Sequence, residues 1–192
     1  MSPARLVHHP IEQQTGKEPT LVHASLTSSP MIAPGGGASV ILALDLGQGT
    51  GWALAAPDGG ITSGTEAFRH DRWQGGGIKF LKFKRWLTEL KGCAGGLDLI
   101  VFEEVRRHLG VDAAHSMGGW LAILTAWCEH HGIAYEGVPV GTIKRHIAGK
   151  GNADKAAVIA AVKALGFDPQ DDNEADALAL LLWALANRAG GC

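Results

Sequence analysis

The stretch that decides the fold is residues 40–54, VILALDLGQGTGWAL. A short aliphatic run closed by glycines is typical of a strand that is buried on both faces of a sheet. Asp45 stands at the end of this run, where a carboxylate is unfavourable unless it is paired, hydrogen-bonded or bound to a metal, or simply caps the turn. The glycines at 47, 49 and 51 allow a tight reversal, or the close approach of a ligand to the backbone. Residues 52–56 then predict an antiparallel partner strand.

The composition predicts one soluble globular domain. The 192 residues are 46% hydrophobic and 19% charged, which suits a folded chain with a full core. The formal net charge of -2 gives no global attraction to nucleic acid, so DNA binding would need a local basic patch. The three cysteines indicate neither a disulfide scaffold nor a zinc site, and the apolar run 177–186 is too short to cross a bilayer. We therefore predict a cytoplasmic protein with no membrane association.

The chain divides into a tail and a domain. Residues 1–38 mix Pro, Ser, Thr, Gln and His without periodicity, and end in a glycine linker, which predicts a flexible tail. Residues 39–192 predict an α/β domain in which a three-stranded meander is followed by alternating helices and strands. Asp112 is the expected N-cap of a helix over 112–131, closed by Gly132. The expected strands are 40–46, 52–56, 61–68, 97–105 and 133–138, and the other expected helical segments are 78–90, 142–147, 154–165 and 171–187.

Three acidic positions fall where they could converge. Asp45 and Glu103 end buried strands, although Glu104 points to the opposite face from Glu103 and strand parity alone does not choose between them. Asp176 lies in a final helix that is apolar almost all round, so it needs a partner. Hard oxygen ligands from separate elements suit Mg²⁺ or Mn²⁺, and two such ions can assist phosphodiester cleavage.

Four segments together resemble the RuvC-type Holliday-junction resolvases, particularly the shorter forms carried by bacteriophages and prophages. They occur in the order LALDLG (42–47), IVFEEV (100–105), GKGNADK (149–155) and NEADAL (173–178). The resemblance implies a ribonuclease-H-like fold with a mixed five-stranded sheet flanked by helices. It also implies a homodimer that makes paired symmetric nicks in four-way DNA junctions with Mg²⁺ or Mn²⁺, two ions per site. The helix 112–131, with Gly118, Gly119 and Trp120, is the expected dimer interface.

The resemblance also assigns candidate site residues. Asp45, Glu103 and Asp176 would be catalytic metal ligands, and Lys155 would be a catalytic basic residue near the scissile phosphate. The family usually has Asp or His three positions before the last Asp, where this chain has Asn173, so the fourth ligand would be Asn173 or Asp172. The candidate DNA-binding residues are Arg106, Arg107, Lys144, Arg145, Lys150 and Lys155.

The chain departs from the usual pattern of the resolvase family at one further segment, and its sequence also admits other interpretations. Many members of the family place a junction-wedging aromatic where this chain has Arg106, Arg107 and His108, so stacking would fall to a guanidinium plane. The glycine turn also resembles that of the sugar-kinase and actin superfamily, but those proteins need a second domain for which this chain has no room. The remaining alternatives are a nuclease of the same fold acting on RNA–DNA hybrids or on branched or flapped DNA, and a junction-binding protein that does not cleave.

Overall fold

The computed structural model describes residues 39–104 and 110–189, and they form one mixed sheet with helices on both faces. The strand order is β3-β2-β1-β4-β5, with β1 antiparallel to β2 and parallel to β4. The predicted tail over 1–38 and the predicted DNA-binding residues Arg106 and Arg107 lie outside the described residues. The strands are β1 (Ile41–Asp45), β2 (Gly49–Ala55), β3 (Ile61–Ala67), β4 (Leu99–Glu104) and β5 (Ala134–Pro139), and the helices are α1 (Ile78–Cys93), α2 (Val111–His131), α3 (Val140–Ala148), α4 (Lys155–Ala164) and α5 (Asp172–Ala189).

The central strand β1 is buried on both faces, as its aliphatic run predicts. Ile41 and Ala43 belong to a core with α3, α4 and α5, whereas Leu42 and Leu44 belong to a core with α1 and α2. The alternation follows from the two-residue period of a strand, which sends successive side chains to opposite faces. Asp45 therefore shares the face of Ile41 and Ala43, and it points towards the side that α5 covers.

All the predicted helical segments form, with ends that differ from the predicted ones by at most three residues, but α2 lacks its predicted cap. Gly110 is the N-cap of α2 and makes no side-chain cap bond, so the prediction that Asp112 caps this helix is wrong. Asp112 lies in the first turn instead, where its charge still favours the helix dipole. Gly132 closes the helix in the left-handed conformation, as predicted. None of the helices within the described ranges is long and apolar enough to span a membrane.

Of the two adjacent glycines in α2, Gly119 serves packing inside the domain. A Cβ on Gly119 would lie 2.5 Å from Cζ of Phe80, so the absence of a side chain there lets α1 and α2 pack closely. Trp120 is buried in the aromatic core with Phe80 and Phe83. The prediction that Trp120 contributes to a dimer interface is therefore wrong, because its side chain is already covered within the chain. Gly118 is exposed, with open space where its Cβ would be.

Candidate active site

The register of the parallel strands β1 and β4 brings two acidic residues together. Leu44 pairs with Phe102, so Asp45 and Glu103 follow directly at the ends of neighbouring strands. Adjacent strands lie about 4.8 Å apart. Leu99 and Val101, which share the parity of Glu103, pack in the core on the α5 side. Glu103, and not Glu104, therefore lies on the same face as Asp45, which resolves the choice that strand parity left open.

The third acidic residue arrives on α5, whose first turn presses on β2 opposite Asp45. Asp45 pairs with Gly51 on β2. A Cβ on Gly51 would lie 1.9 Å from the backbone oxygen of Asn173, so only glycine lets the helix come this near. The sequence predicts a turn or the close approach of a ligand here, with the partner strand over 52–56, whereas β2 begins at Gly49 and the group that approaches Gly51 is the backbone of α5. Asp176, one turn further along, is held on the side of the sheet that Asp45 faces.

The start of α5 is also fastened to the edge strand β3 by hydroxyl–carboxylate bonds. The Ser63 hydroxyl donates to Glu174 Oε1 at 2.7 Å, and the Thr65 hydroxyl donates to Asp171 Oδ1 at 2.7 Å. Asp171 Oδ1 also accepts the Glu174 backbone N–H at 2.8 Å, which caps the helix. Glu174 is buried, at 7% exposed. These two bonds were not predicted from the sequence, although Ser63 and Thr65 lie two residues apart in a strand, a spacing which indicates that one face of β3 contacts polar groups.

Burial raises the pKa of all three carboxylates, and repulsion between them adds to the shift at Asp45 and Glu103. Burial, followed by the charges of Glu103 and Asp176, raises the pKa of Asp45 to about 8. Burial and then the charge of Asp176 raise the pKa of Glu103 to about 6. Burial also raises the pKa of Asp176. The structure therefore brings Asp45, Glu103 and Asp176 together in one electrostatic unit in which full ionisation is unfavourable.

Two lysines reach this acidic group from α3 and α4. The Lys144 ammonium donates to the carbonyl of Ala153 at 2.8 Å, and its charge partly offsets the effect of burial, which raises the pKa of both Glu103 and Asp176. Lys155 forms an ion pair with Asp172. That hydrogen bond raises the pKa of Lys155 and lowers the pKa of Asp172.

The remaining predicted basic residues lie near these lysines. Arg145 follows Lys144 on α3 and is exposed, and Lys150 is exposed in the loop between α3 and α4. The structure thus brings four of the six predicted DNA-binding residues to the α3–α4 region beside the acidic group. Asn173 lies against the glycine turn, with Nδ2 3.4 Å from the position of a Cβ on Gly49.

Comparisons with known proteins find the same architecture in solved structures. Thermus thermophilus RuvC in complex with Holliday junction substrate superposes with a TM-score of 0.67 at 21% identity, over 79% of this chain and 96% of that chain. The chain has the RuvC fold. A second Thermus thermophilus RuvC structure gives a TM-score of 0.61 at 20% identity, over the same shares. The yeast mitochondrial Holliday junction resolvase Ydc2 gives 0.54 at 12% identity, over 84% of each chain. No family model and no curated protein sequence matches the chain.

The RuvC fold confirms the predicted ribonuclease-H-like class and the five-stranded mixed sheet. Within this fold, the donor chemistry of the acidic group fits a hard divalent cation, because carboxylates on β1, β4 and α5 repel one another without one. Among residues 39–104 and 110–189, no set of three His, Cys, Asp or Glu side chains is already arranged to hold an ion. Asp45, Glu103 and Asp176 would therefore have to draw together around it.

The raised pKa values predict how stability depends on pH when no divalent metal is present. In the folded chain, Asp45 and Glu103 stay protonated to a higher pH than they do in the unfolded chain. Raising the pH therefore favours the unfolded chain, in which both groups ionise more readily. We expect the melting temperature in EDTA to fall as the pH rises from about 4 to 8. At pH 8, Asp45→Asn should raise it by roughly 4 °C or more, since 1 kcal/mol is worth about 2–4 °C in a chain of this size.

Thermal melts of both proteins in EDTA at pH 5, 6.5 and 8 check this prediction. Adding Mg²⁺ at pH 8 should stabilise the wild type more than Asp45→Asn, because a cation relieves repulsion that the variant has already lost. Equal melting temperatures for the two proteins at pH 8, with the same pH slope, would show that Asp45 is not an unfavourable buried charge.

Proposed function

We propose that the chain is a divalent-metal-dependent endonuclease that resolves four-way DNA junctions by paired symmetric nicks. The observation that supports this most strongly is the position of Asp45, Glu103 and Asp176. In a chain with the fold of RuvC, two of these carboxylates lie at the ends of adjacent strands and the third lies on the helix that packs against that side of the sheet, and the charge of Asp176 raises the pKa of both Asp45 and Glu103. A RuvC with this fold is known in complex with Holliday junction substrate.

In this proposal, the catalytic residues divide into ligands and phosphate contacts. Asp45, Glu103 and Asp176 would hold Mg²⁺ or Mn²⁺, and a pair of such ions supplies an activated water and stabilises the leaving oxygen. The two adjacent strands and the packed helix hold the backbones of these three residues at one end of the sheet, and the side chains would draw together around a bound ion. Lys144 and Lys155 would offset the charge of the carboxylates and attract the scissile phosphate.

Lys155 would have to break its ion pair with Asp172 before it could contact DNA. Its ammonium is paired with Asp172, and both side chains are substantially exposed, so the pair is weak. A DNA phosphodiester carries the same single negative charge as a carboxylate, and a run of such phosphates would compete with Asp172 for the ammonium. Lys150 and Arg145 extend the positive surface along the same side and would contact the neighbouring backbone. Two symmetric nicks would require two such sites, hence an isologous dimer.

Nicking of a synthetic four-way junction with Mg²⁺, with Mn²⁺ and with EDTA tests the proposal. We expect cuts at symmetric positions on opposing strands in either metal and none in EDTA. The same reaction on an RNA–DNA hybrid and on a flapped duplex separates the rival nucleases that share the fold. Preferential cutting of the hybrid or the flap, or tight junction binding without any cut, would overturn the resolvase proposal.

A pair of variants tests which residue is the fourth ligand. We expect Asn173→Asp to lower the Mg²⁺ concentration for half-maximal nicking about threefold or more, because carboxylates bind hard cations better than amides do. Asp172→Asn should change it by less than about twofold, since Asp172 already has Lys155 as its partner. Metal titrations of nicking rate measure both. Loss of activity in Asp172→Asn with an unmoved titration in Asn173→Asp would assign the ligand to Asp172.

A further inference from the structure

The loop between β3 and α1 presents a tryptophan to solvent. Trp73 is 85% exposed, more than any other large hydrophobic side chain in the described parts of the chain. Indole rings carry a large apolar area and are highly buried on average. Such exposure therefore suggests that the ring has a partner outside the domain.

The register of the sheet puts this loop at the same edge as the acidic group. β1 and β3 are both antiparallel to β2, so they end at one edge. Ala67, the last residue of β3, pairs with Gly49, two residues along β2 from the partner of Asp45. The Phe68 backbone N–H then donates to the Gln48 carbonyl at 2.8 Å. Trp73 comes five residues after Phe68, so its Cα lies at most about 17 Å from that of Phe68, a distance that DNA bound at the acidic group can span.

The loop is built in a way that holds Trp73 outward. Phe68 is buried at its base, and the Lys82 ammonium donates to the Arg69 carbonyl at 2.7 Å. Asp71 and Gln74 bond to each other across the turn, at 2.9 Å from the Gln74 N–H to the Asp71 carbonyl and 3.2 Å from the Asp71 N–H to Gln74 Oε1. Trp73 lies between these two residues. Its exposure is thus a property of a hydrogen-bonded turn.

The charges of the loop suit nucleic acid. The Arg72 guanidinium lies over the Trp73 ring, 4.7 Å from its centroid. Arg69 and Arg72 outnumber the single acidic residue, Asp71, in the segment 69–73. An aromatic ring combined with arginine is the chemistry that binds unpaired bases, with stacking on the ring and attraction of the phosphate by the cation.

We propose that Trp73 stacks on an unpaired base at the branch point of the DNA, with Arg69 and Arg72 on the flanking phosphates. Bases within a duplex already stack on their neighbours and offer no free face, so the contact selects branched DNA over duplex. This inference rests on the proposed function, because it takes branched DNA as the substrate of the acidic group.

Binding measurements in the cleavage-deficient Asp45→Asn background test the contact. Stacking of a base on an aromatic side chain is worth about 1–3 kcal/mol, so Trp73→Ala should weaken junction binding by about 5- to 150-fold and duplex binding by less than about twofold. Trp73→Leu should behave like Trp73→Ala, whereas Trp73→Phe should retain most of the affinity. Leu165→Ala, which truncates another exposed apolar side chain at the end of α4, is the matched control and should change neither.

A fluorescent base reports on the stacking itself. The fluorescence of 2-aminopurine placed at the branch point of a junction should be quenched more by the protein that retains Trp73 than by Trp73→Leu. If Trp73→Ala binds junctions as tightly as its parent, or loses duplex binding equally, the stacking contact is overturned and the resolvase proposal stands. A change of oligomeric state in Trp73→Ala by light scattering would also overturn it, as Trp73 would then contact a second copy of the chain. Absence of any junction preference in the parent protein would remove both proposals.

Discussion

Asp45→Asn is expected to abolish nicking of four-way junctions while leaving junction affinity unchanged or higher. The substitution keeps the size of the side chain and removes one of three coupled carboxylates. Losing a metal ligand removes several kcal/mol of charge stabilisation, and each 1.36 kcal/mol is a factor of ten, so we expect the rate to fall by about three orders of magnitude. Affinity should not fall, since the variant has less negative charge near the phosphates. Single-turnover nicking and gel-shift binding on the same junction measure the two effects.

Asp58→Asn is the matched control for this experiment. Asp58 lies in the β2–β3 turn, at the opposite end of the sheet from Asp45, and is exposed. Its Oδ1 accepts the Gly60 N–H at 2.9 Å, a bond that the amide oxygen of asparagine can also accept. This variant should therefore cut and bind like the wild type. Loss of junction binding in Asp45→Asn would instead assign Asp45 a structural role at the glycine turn.

The layers of the fold could be predicted because the relevant patterns are local. The aliphatic run before Asp45 predicts a strand buried on both faces, and Ile41 to Leu44 are each at most 2% exposed. The helical spacing of Phe80, Phe83, Leu87 and Leu90 predicts the apolar face of α1, on which Phe83 and Leu87 are fully buried and the other two are partly buried. In each case, the residues that set the pattern are close in sequence, so periodicity alone identifies the buried face.

The arrangement of the acidic group could not be predicted in full because it depends on long-range contacts. Choosing Glu103 over Glu104 requires the parallel register of β4 with β1, which no local pattern encodes. The ion pair of Lys155 could not be predicted either, because its partner Asp172 lies on another helix 17 residues away. The resemblance to the resolvases supplied candidates for these positions, but the contacts between them follow only from the packing of α3, α4 and α5.

The role of Gly51 also depends on a long-range contact, and its substitution is the second change from which we expect a large loss of activity. The glycines at 47, 49 and 51 predict a tight reversal or the close approach of a ligand, whereas the structure places the backbone of α5 against Gly51. A Cβ at position 51 would lie 1.9 Å from the Asn173 carbonyl oxygen and 2.3 Å from its carbonyl carbon. These are backbone atoms, so no rotamer change can relieve the contact, and the first turn of α5 must move away from β2.

Gly51→Ala is therefore expected to displace Asp176 from Asp45 and Glu103. A shift of about 1 Å in a catalytic group can cost about 100-fold in rate, and we expect a loss of at least that size in nicking. Overpacking should also lower the free energy of unfolding by about 1–3 kcal/mol. Single-turnover nicking and thermal melts measure the two losses, and a circular dichroism spectrum like that of the wild type shows whether the variant still folds.

Gly49→Ala is the control that separates the contact between Gly51 and Asn173 from a general need for glycine at the start of β2. Its Cβ would lie 3.4 Å from Asn173 Nδ2 and 3.9 Å from Thr65 Cγ2, which are ordinary van der Waals distances to side chains. Neither glycine has a positive φ, so alanine meets no backbone strain at either position. We expect Gly49→Ala to stay within about threefold of the wild-type rate, in keeping with the small effects of substitutions that create no clash. Equal losses in both variants would mean that the turn itself is sensitive, whereas full activity in Gly51→Ala would show that the position of α5 against β2 does not set the acidic group.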